Sequence, residues 1–272
     1  MGKIILSDIK RALRSGRFWV SAGLIVLFTV INLFTSGAYG HKRVGWIGLF
    51  IFGNIIGNPL MFFLAPFIPA FIFAPLFMGD IKSGAYKAVS IKTGLKKYLA
   101  ARSVSSLIIG SGIFIFSFLI ILAGCFFYDP TVQDIEYTPI GLFQGVYYTS
   151  ALLYIISFIL YKALCGALFC FLSVGIGLAS NSQSMALVLP GIISPCSFLL
   201  WDLLNNPALS WMQILLPYLI WEFNIGMQPL NRIAKLCFIL FASLALVAAG
   251  YCKLKKESRV DAAAGENPAI EV

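Results

Sequence analysis

The stretch SVSSLIIGSGIFIFSFLIILAGCFF, Ser103–Phe127, decides the fold class. It carries no charge and exceeds the roughly 20 apolar residues with which a helix crosses about 30 Å of hydrocarbon. Arg102 stands before it and Asp129 just after it, so charge is confined to its ends. Five other segments share this character: Phe18–Thr35, Asn58–Met78, Phe158–Ala179, Met185–Leu204 and Ile233–Cys252. Composition agrees, with 60% of residues hydrophobic and 11% charged, where a soluble domain carries about 25% charged residues. The chain reads as an all-α integral membrane protein with six transmembrane helices.

Two more apolar stretches fit no clean span. Gly45–Gly57 is rich in glycine and contains Asn54, and Ala208–Met227 is interrupted by Pro217 and holds Glu222. Both read as short external segments dipping into the bilayer, which is tolerable where protein covers their backbone.

Basic residues set the orientation. Lys3, Lys10, Arg11, Arg14 and Arg17 precede the first span, and Lys82, Lys87, Lys92, Lys96, Lys97 and Arg102 lie between the second and third. Lys253, Lys255, Lys256 and Arg259 follow the sixth, whereas Asp129, Asp134 and Glu136 sit at the opposite end. The positive-inside rule then places both termini in the cytoplasm and the chain in the cell membrane. The net charge of +9 belongs to this asymmetry, and nucleic acid is not an expected partner. Ile5, Ile9 and Leu13 recur at four-residue steps among Lys10, Arg11 and Arg14. That pattern predicts an N-terminal amphipathic helix lying in the cytoplasmic interface rather than a cleaved leader. Residues 1–256 form the transmembrane domain, and 257–272, Ala-rich and acidic, read as a flexible cytoplasmic tail. No internal repeat is visible.

The residues offer little catalysis. The sole histidine, His41, lies in a short external loop beside Lys42 and Arg43, where it can build neither a zinc site nor a Ser–His pair. No phosphate-binding GxxxxGK[ST] motif is present, and no acidic pair occurs at helical spacing inside a span. The six cysteines, in or beside apolar runs, are expected as buried free thiols. Lys162, Asp202 and Glu222 are the ionisable residues nearest the hydrocarbon, where each is expensive. Lys162 snorkels outward if its span starts at Phe158, and lies near the midplane if the span starts at Gly145; the first reading is preferred.

The most specific signal is the loop between the second and third spans. It runs FMGDIKSGAYKAVS (77–90) and IKTGLKKYLAAR (91–102), with Gly84 and Gly94 punctuating two short helical turns. A compact basic element of this kind calls for something to dock on. Here the chain resembles the transmembrane subunits of ABC-2 type exporters. The resemblance rests on Asp80 and Gly84 after the second span, Ser90 in the following turn, and Lys97, Tyr98, Leu99 and Arg102 leading into the third. It extends to the layout of six spans and to WMQILLP (211–217) as an external dipping segment. The chain departs from the family pattern at Ala85, where Thr is frequent, and around Lys92–Leu95, which lacks the usual Pro and Arg.

The resemblance implies a dimeric translocation path formed with a second permease chain, identical or homologous, amid membrane lipid. It also implies a separate cytoplasmic ABC ATPase, two copies per complex, docking on the loop through Asp80, Ser83, Gly84, Ser90, Gly94, Lys97, Tyr98 and Arg102. No cofactor is expected in this chain, since ATP and Mg belong to the partner ATPase, and the chain itself is not expected to be an enzyme. Likeness to small exporters of bacteriocins makes an amphipathic peptide the expected cargo. Asn58, Phe62 and Ser194 are candidates for the translocation path. The small or kinking residues Ser184, Gly191, Ser194, Pro195 and Ser197 offer a dimer surface on the fifth span, although they could equally contact spans of their own chain. The alternatives are a secondary transporter and a non-transporting immunity or sensor subunit.

Overall fold

The computed structural model describes residues 1–35, 45–54, 64–131, 144–203 and 229–265. Every element among them is a helix: α1 (Gly2–Arg14), α2 (Gly16–Thr35), α3 (Gly45–Asn54), α4 (Phe67–Lys82), α5 (Ala85–Thr93), α6 (Leu95–Tyr128), α7 (Gln144–Thr149), α8 (Ala151–Ser180), α9 (Gln183–Leu203) and α10 (Pro229–Gly265). The described part of each of the six apolar segments is mainly helical, and residues 58–63 and 204 lie outside the described residues. Four, in α2, α6, α8 and α10, are long and apolar enough to cross a bilayer, and α4 makes a fifth if joined to the sharply bent α5. The protein is membrane-embedded. Residues 257–265, expected as tail, continue α10 as helix.

Helix α8 is the hub, packed by α6, α10, α4 and α9. Its side chains are buried on every face from Cys165 to Leu178, and the stripe it leaves exposed before that, Ile156, Leu160 and Leu164, is itself apolar; a helix apolar all round belongs inside a bundle or against lipid. Glycines allow the closest contacts. A Cβ on Gly110 of α6 would lie 2.5 Å from the Gly166 carbonyl oxygen, and one on Gly166 would lie 2.5 Å from that of Gly110. Backbone thus meets backbone, the arrangement by which membrane helices associate without a hydrophobic driving force between them. Gly175 makes room for Leu246 of α10 in the same way, and Gly177 for the Met78 sulfur of α4.

The dipping element expected over Gly45–Gly57 is α3. At its start the Gly45 N–H donates to Asp129 Oδ2 (3.1 Å) and the Trp46 N–H to the Thr131 carbonyl (3.3 Å), so it enters beside the far end of α6. At its end the Thr29 hydroxyl of α2 lies 2.7 Å from Asn54 Oδ1, and Asn32 Nδ2 donates to the Gly53 carbonyl at 3.1 Å. Thr29 is six residues from the end of α2, a depth of about 9 Å. Phe50, fully buried, locks α3 onto α6 and α8 through Phe118 and Phe158, with ring centres 6.2 and 5.9 Å away. Where α2 meets α3, the buried polar groups of Thr29, Asn32 and Asn54 are paired, as hydrocarbon requires. The second dipping stretch, Ala208–Met227, lies outside the described residues.

Candidate functional site

The end of the bundle that carries the basic loop holds the densest polar chemistry. Helix α4 stops at Lys82, and the chain turns through Gly84 at φ +72°. Helix α5 then lies bent 84° from α4, and Gly94, at φ +83°, redirects the chain into α6. Both glycines occupy the left-handed half of backbone space that a Cβ disfavours. The sequence reading of two punctuated turns is what the chain adopts.

Beneath this hairpin four side chains form a line of alternating charge. Arg102 of α6 hydrogen-bonds Asp8 of α1 and Asp80 of α4 through separate guanidinium nitrogens. Asp80 in turn accepts two bonds from Arg11 of α1, at 2.8 and 3.0 Å. The order is Asp8–Arg102–Asp80–Arg11, with no net charge. Burial falls along it: Asp8 and Arg102 are inside the protein, whereas the Arg11 side chain is 43% exposed. Burial pushes the Asp8 carboxyl above its ordinary range, opposed by the positive charge of Arg102. The hydrogen bond to Asp80 holds the Arg11 guanidinium above its ordinary value, against partial desolvation.

Tyr98, fully buried one turn before Arg102, supports the line from below. The Arg102 guanidinium carbon sits 5.1 Å from its ring centre, a cation–π contact in a desolvated setting. The other face of this contact reaches α5, whose buried Tyr86 has its ring centre 6.5 Å from that of Tyr98. Asp8 Oδ2, Arg102 Nε and the Tyr98 hydroxyl are buried without a protein hydrogen bond, the kind of group ordered water satisfies.

Of the eight loop residues singled out in the sequence, Asp80, Tyr98 and Arg102 converge, and Gly84 and Gly94 shape the hairpin. Ser83, Ser90 and Lys97 do not join them. The Ser83 and Ser90 hydroxyls donate back to the carbonyls of Asp80 (3.4 Å) and Lys87 (3.0 Å), and Lys97 is exposed. Sequence reading missed Asp8, Arg11 and Tyr86. A signal for Asp8 existed, for it is the sole acid before Asp80.

A polar cleft of about 490 Å³ opens beside the hairpin, lined by Lys82, Gly84, Tyr86, Lys87, Asn181 and Glu257. It joins the α4–α5 turn to the α8–α9 turn and to α10. On α5 the outward face presents Ala88, Lys92 and Ile91, the last 84% exposed.

Other expectations fare differently. Contrary to the preferred reading, Lys162 does not lie near the start of its helix: α8 begins at Ala151, which sets Lys162 about 16 Å along it. It is buried, with its ammonium 5.3 Å from the Phe158 ring centre. Cys125, Cys165 and Cys170 are buried as expected, but Cys196, Cys237 and Cys252 face outward. Gly191 turns toward its own chain, since a Cβ there would meet Phe67 of α4 at 3.1 Å. Ser194 belongs to the backbone of α9. Asn58 and Phe62, with His41 and Glu222, lie outside the described residues. Phe73 and Phe77 of the Phe-rich second span are fully buried, so these rings are packing surface. The chain matches no family model, no curated protein and no solved structure.

Proposed function

We propose that the chain is the transmembrane permease subunit of an ATP-driven exporter of the ABC-2 type. In this reading it spans the membrane six times, α1 lies in the cytoplasmic interface, and the basic end with both termini faces the cytoplasm. A second permease chain completes the translocation path, and a cytoplasmic ATPase, which binds ATP and Mg, docks on α5 and hydrolyses ATP for the pair. The observation that carries the proposal is α5 itself, a short helix set across the axis of α4 between two positive-φ glycines, with Ile91 and Lys92 turned outward. An exposed large apolar side chain outside the hydrocarbon, ringed by lysines, suits a protein partner. An amphipathic peptide remains the proposed cargo.

The test uses Ile91→Asp and Lys92→Glu, which touch the outward face and leave Tyr98 and Arg102 in place. Co-expressed with a candidate ABC ATPase, the wild-type chain should retain that ATPase through purification and support cargo-stimulated hydrolysis. Ile91→Asp should lose both while inserting normally. Retention and stimulation at wild-type level in both variants would remove α5 from coupling. Lys162, a buried cation deep in α8, is the observation on the side of a secondary transporter. Cargo movement by the chain alone, driven by an ion gradient, would favour that reading.

A further inference from the structure

A narrow apolar groove runs between α1, α2 and α6, with a volume of about 190 Å³. Ile9 and Leu13 of α1 form one wall, Phe18 of α2 another, and Ile108, Gly112 and Phe116 of α6 the floor. From Ile108 to Phe116 the floor extends about 12 Å along the helix, and that part of α6 belongs to an apolar span. The protein does not fill it. A Cβ on Gly112 would meet nothing within 4 Å, although Gly110 two residues earlier is pressed against α8.

Two basic residues adjoin the groove's lining in sequence. Leu13 is followed by Arg14, and Phe18 is preceded by Arg17. Both arginines are exposed, and neither has an ion-pair partner among the described residues. Between them the chain breaks at Ser15, where α1 meets α2. Trp19 closes the break: its indole N–H donates to the Leu13 carbonyl at 3.0 Å, and its ring stands edge-on to Phe116 at 5.6 Å. A half-exposed tryptophan with its N–H on a helix-end carbonyl marks the level where hydrocarbon gives way to headgroups.

We propose that this groove binds one anionic phospholipid of the adjoining leaflet, its acyl chain on Gly112 and Phe116 and its phosphate between Arg14 and Arg17. The charge pattern selects this occupant. Arginine matches a phosphate bidentately, but a zwitterionic lipid would add its own headgroup cation beside the two arginines, whereas an anionic headgroup leaves the phosphate charge to answer them alone. A second copy of this chain would bring the same cations toward each other. The site does not depend on what the protein transports.

The experiment reads Trp19. The full-length chain is reconstituted in phosphatidylcholine vesicles, and mid-chain brominated phosphatidylglycerol or brominated phosphatidylcholine is introduced stepwise. The Trp19 signal is the difference between the wild type and Trp19→Phe. Brominated phosphatidylglycerol should half-quench it at a mole fraction at least about fivefold lower, as expected for two basic side chains at an anionic headgroup. Gly112→Leu should fill the groove without disturbing the bundle, and Arg14→Gln with Arg17→Gln should remove the headgroup contacts. Either change should bring the two lipids to equal quenching. Equal quenching in the wild type would show ordinary annular lipid and overturn the site. A preference that survives both variants would overturn it too, as would protection of Trp19 from both lipids that grows with protein density.

Discussion

Replacing Arg102 by Leu isolates the energetic centre of the charged line. Asp80 keeps its two bonds from Arg11, but Asp8 loses the cation bonded to it while remaining 3% exposed. An ionised carboxylate in that position is untenable, so Asp8 must take a proton. Protonating a carboxyl of ordinary pKa 3.8 at about pH 7 costs about 4 kcal/mol, which caps the loss from charge burial. Breaking a buried pair by removing one partner typically costs about 3–5 kcal/mol, in line with that cap. The sign with pH follows. In Arg102→Leu the folded pKa of Asp8 is raised above its unfolded value, so the deficit is largest above the folded pKa and shrinks as pH falls through it. Thermal unfolding of the detergent-solubilised chain, followed by exposure of its buried cysteines, should show that deficit narrowing from about pH 8 to about pH 5. Asp8→Asn combined with Arg102→Leu should recover most of it, since no buried charge is left alone. Equal instability of the single and double variants, independent of pH, would show that the lost guanidinium packing on Tyr98 matters and the charge pairing does not.

At the other end of the line, Arg11→Gln should cost no more than about 1 kcal/mol, because a partly exposed pair is screened by water and salt; the same unfolding assay measures it. Gly110→Ala should destabilise by about 2 kcal/mol or more through the Gly166 contact, whereas Gly112→Ala should be near neutral, and comparing their unfolding midpoints tests the α6–α8 crossing. Cys237 and Cys252 should react with a thiol reagent in the native detergent-solubilised protein, while Cys165 and Cys170 react only on unfolding, a difference that mass spectrometry of labelled peptides resolves.

The apolar segments were legible because hydropathy is a local property: α2 keeps its expected bounds to within two residues, whereas α6 begins eight residues before Ser103 and α10 runs 13 residues past Cys252, since charged flanks can continue a helix without raising its hydropathy. Helix α8 was placed seven residues late. Its first two turns contain Tyr154 close after Tyr147 and Tyr148, a run that looks like a membrane-interface belt. Tyr154 is instead buried, edge-on to Tyr147 at 5.4 Å, and with the helix start moved back, Lys162 moves inward. The loop was read correctly as two turns hinged on glycine, since positive φ leaves a compositional mark. Its chemistry was read as a docking surface throughout, although Tyr98 and Arg102 face the bundle. Nothing within the loop indicates that Arg102 finds Asp8, a partner 94 residues away. The N-terminal helix was recognised from Ile5, Ile9 and Leu13, but Asp8 and Ala12 are the side chains it buries. The apolar trio flanks that contact, with Ile9 and Leu13 walling the groove beside α6.

The arrangement separates what is stiff from what can swing. Asp80 lies four residues before Gly84, and Arg102 eight residues after Gly94, so the charged line staples the two long helices together below the hairpin while the glycines articulate it above. Helix α1 belongs to the staple, because Asp8 and Arg11 supply two of its four members. Helix α5 meets the staple through Tyr86, whose ring lies against Tyr98, the residue under the Arg102 guanidinium. A push on the exposed face of α5 is therefore not absorbed wholly at its two joints. It loads Tyr98 and Arg102, and through them α1, α4 and α6 at once. Four side chains from three helices, mutually neutralised and mostly shielded from water, form a base that yields only by exposing buried charge. Under the proposed function, a subunit driven by a partner outside the membrane would use such an arrangement: a contact element on a base able to pass displacement to several helices together.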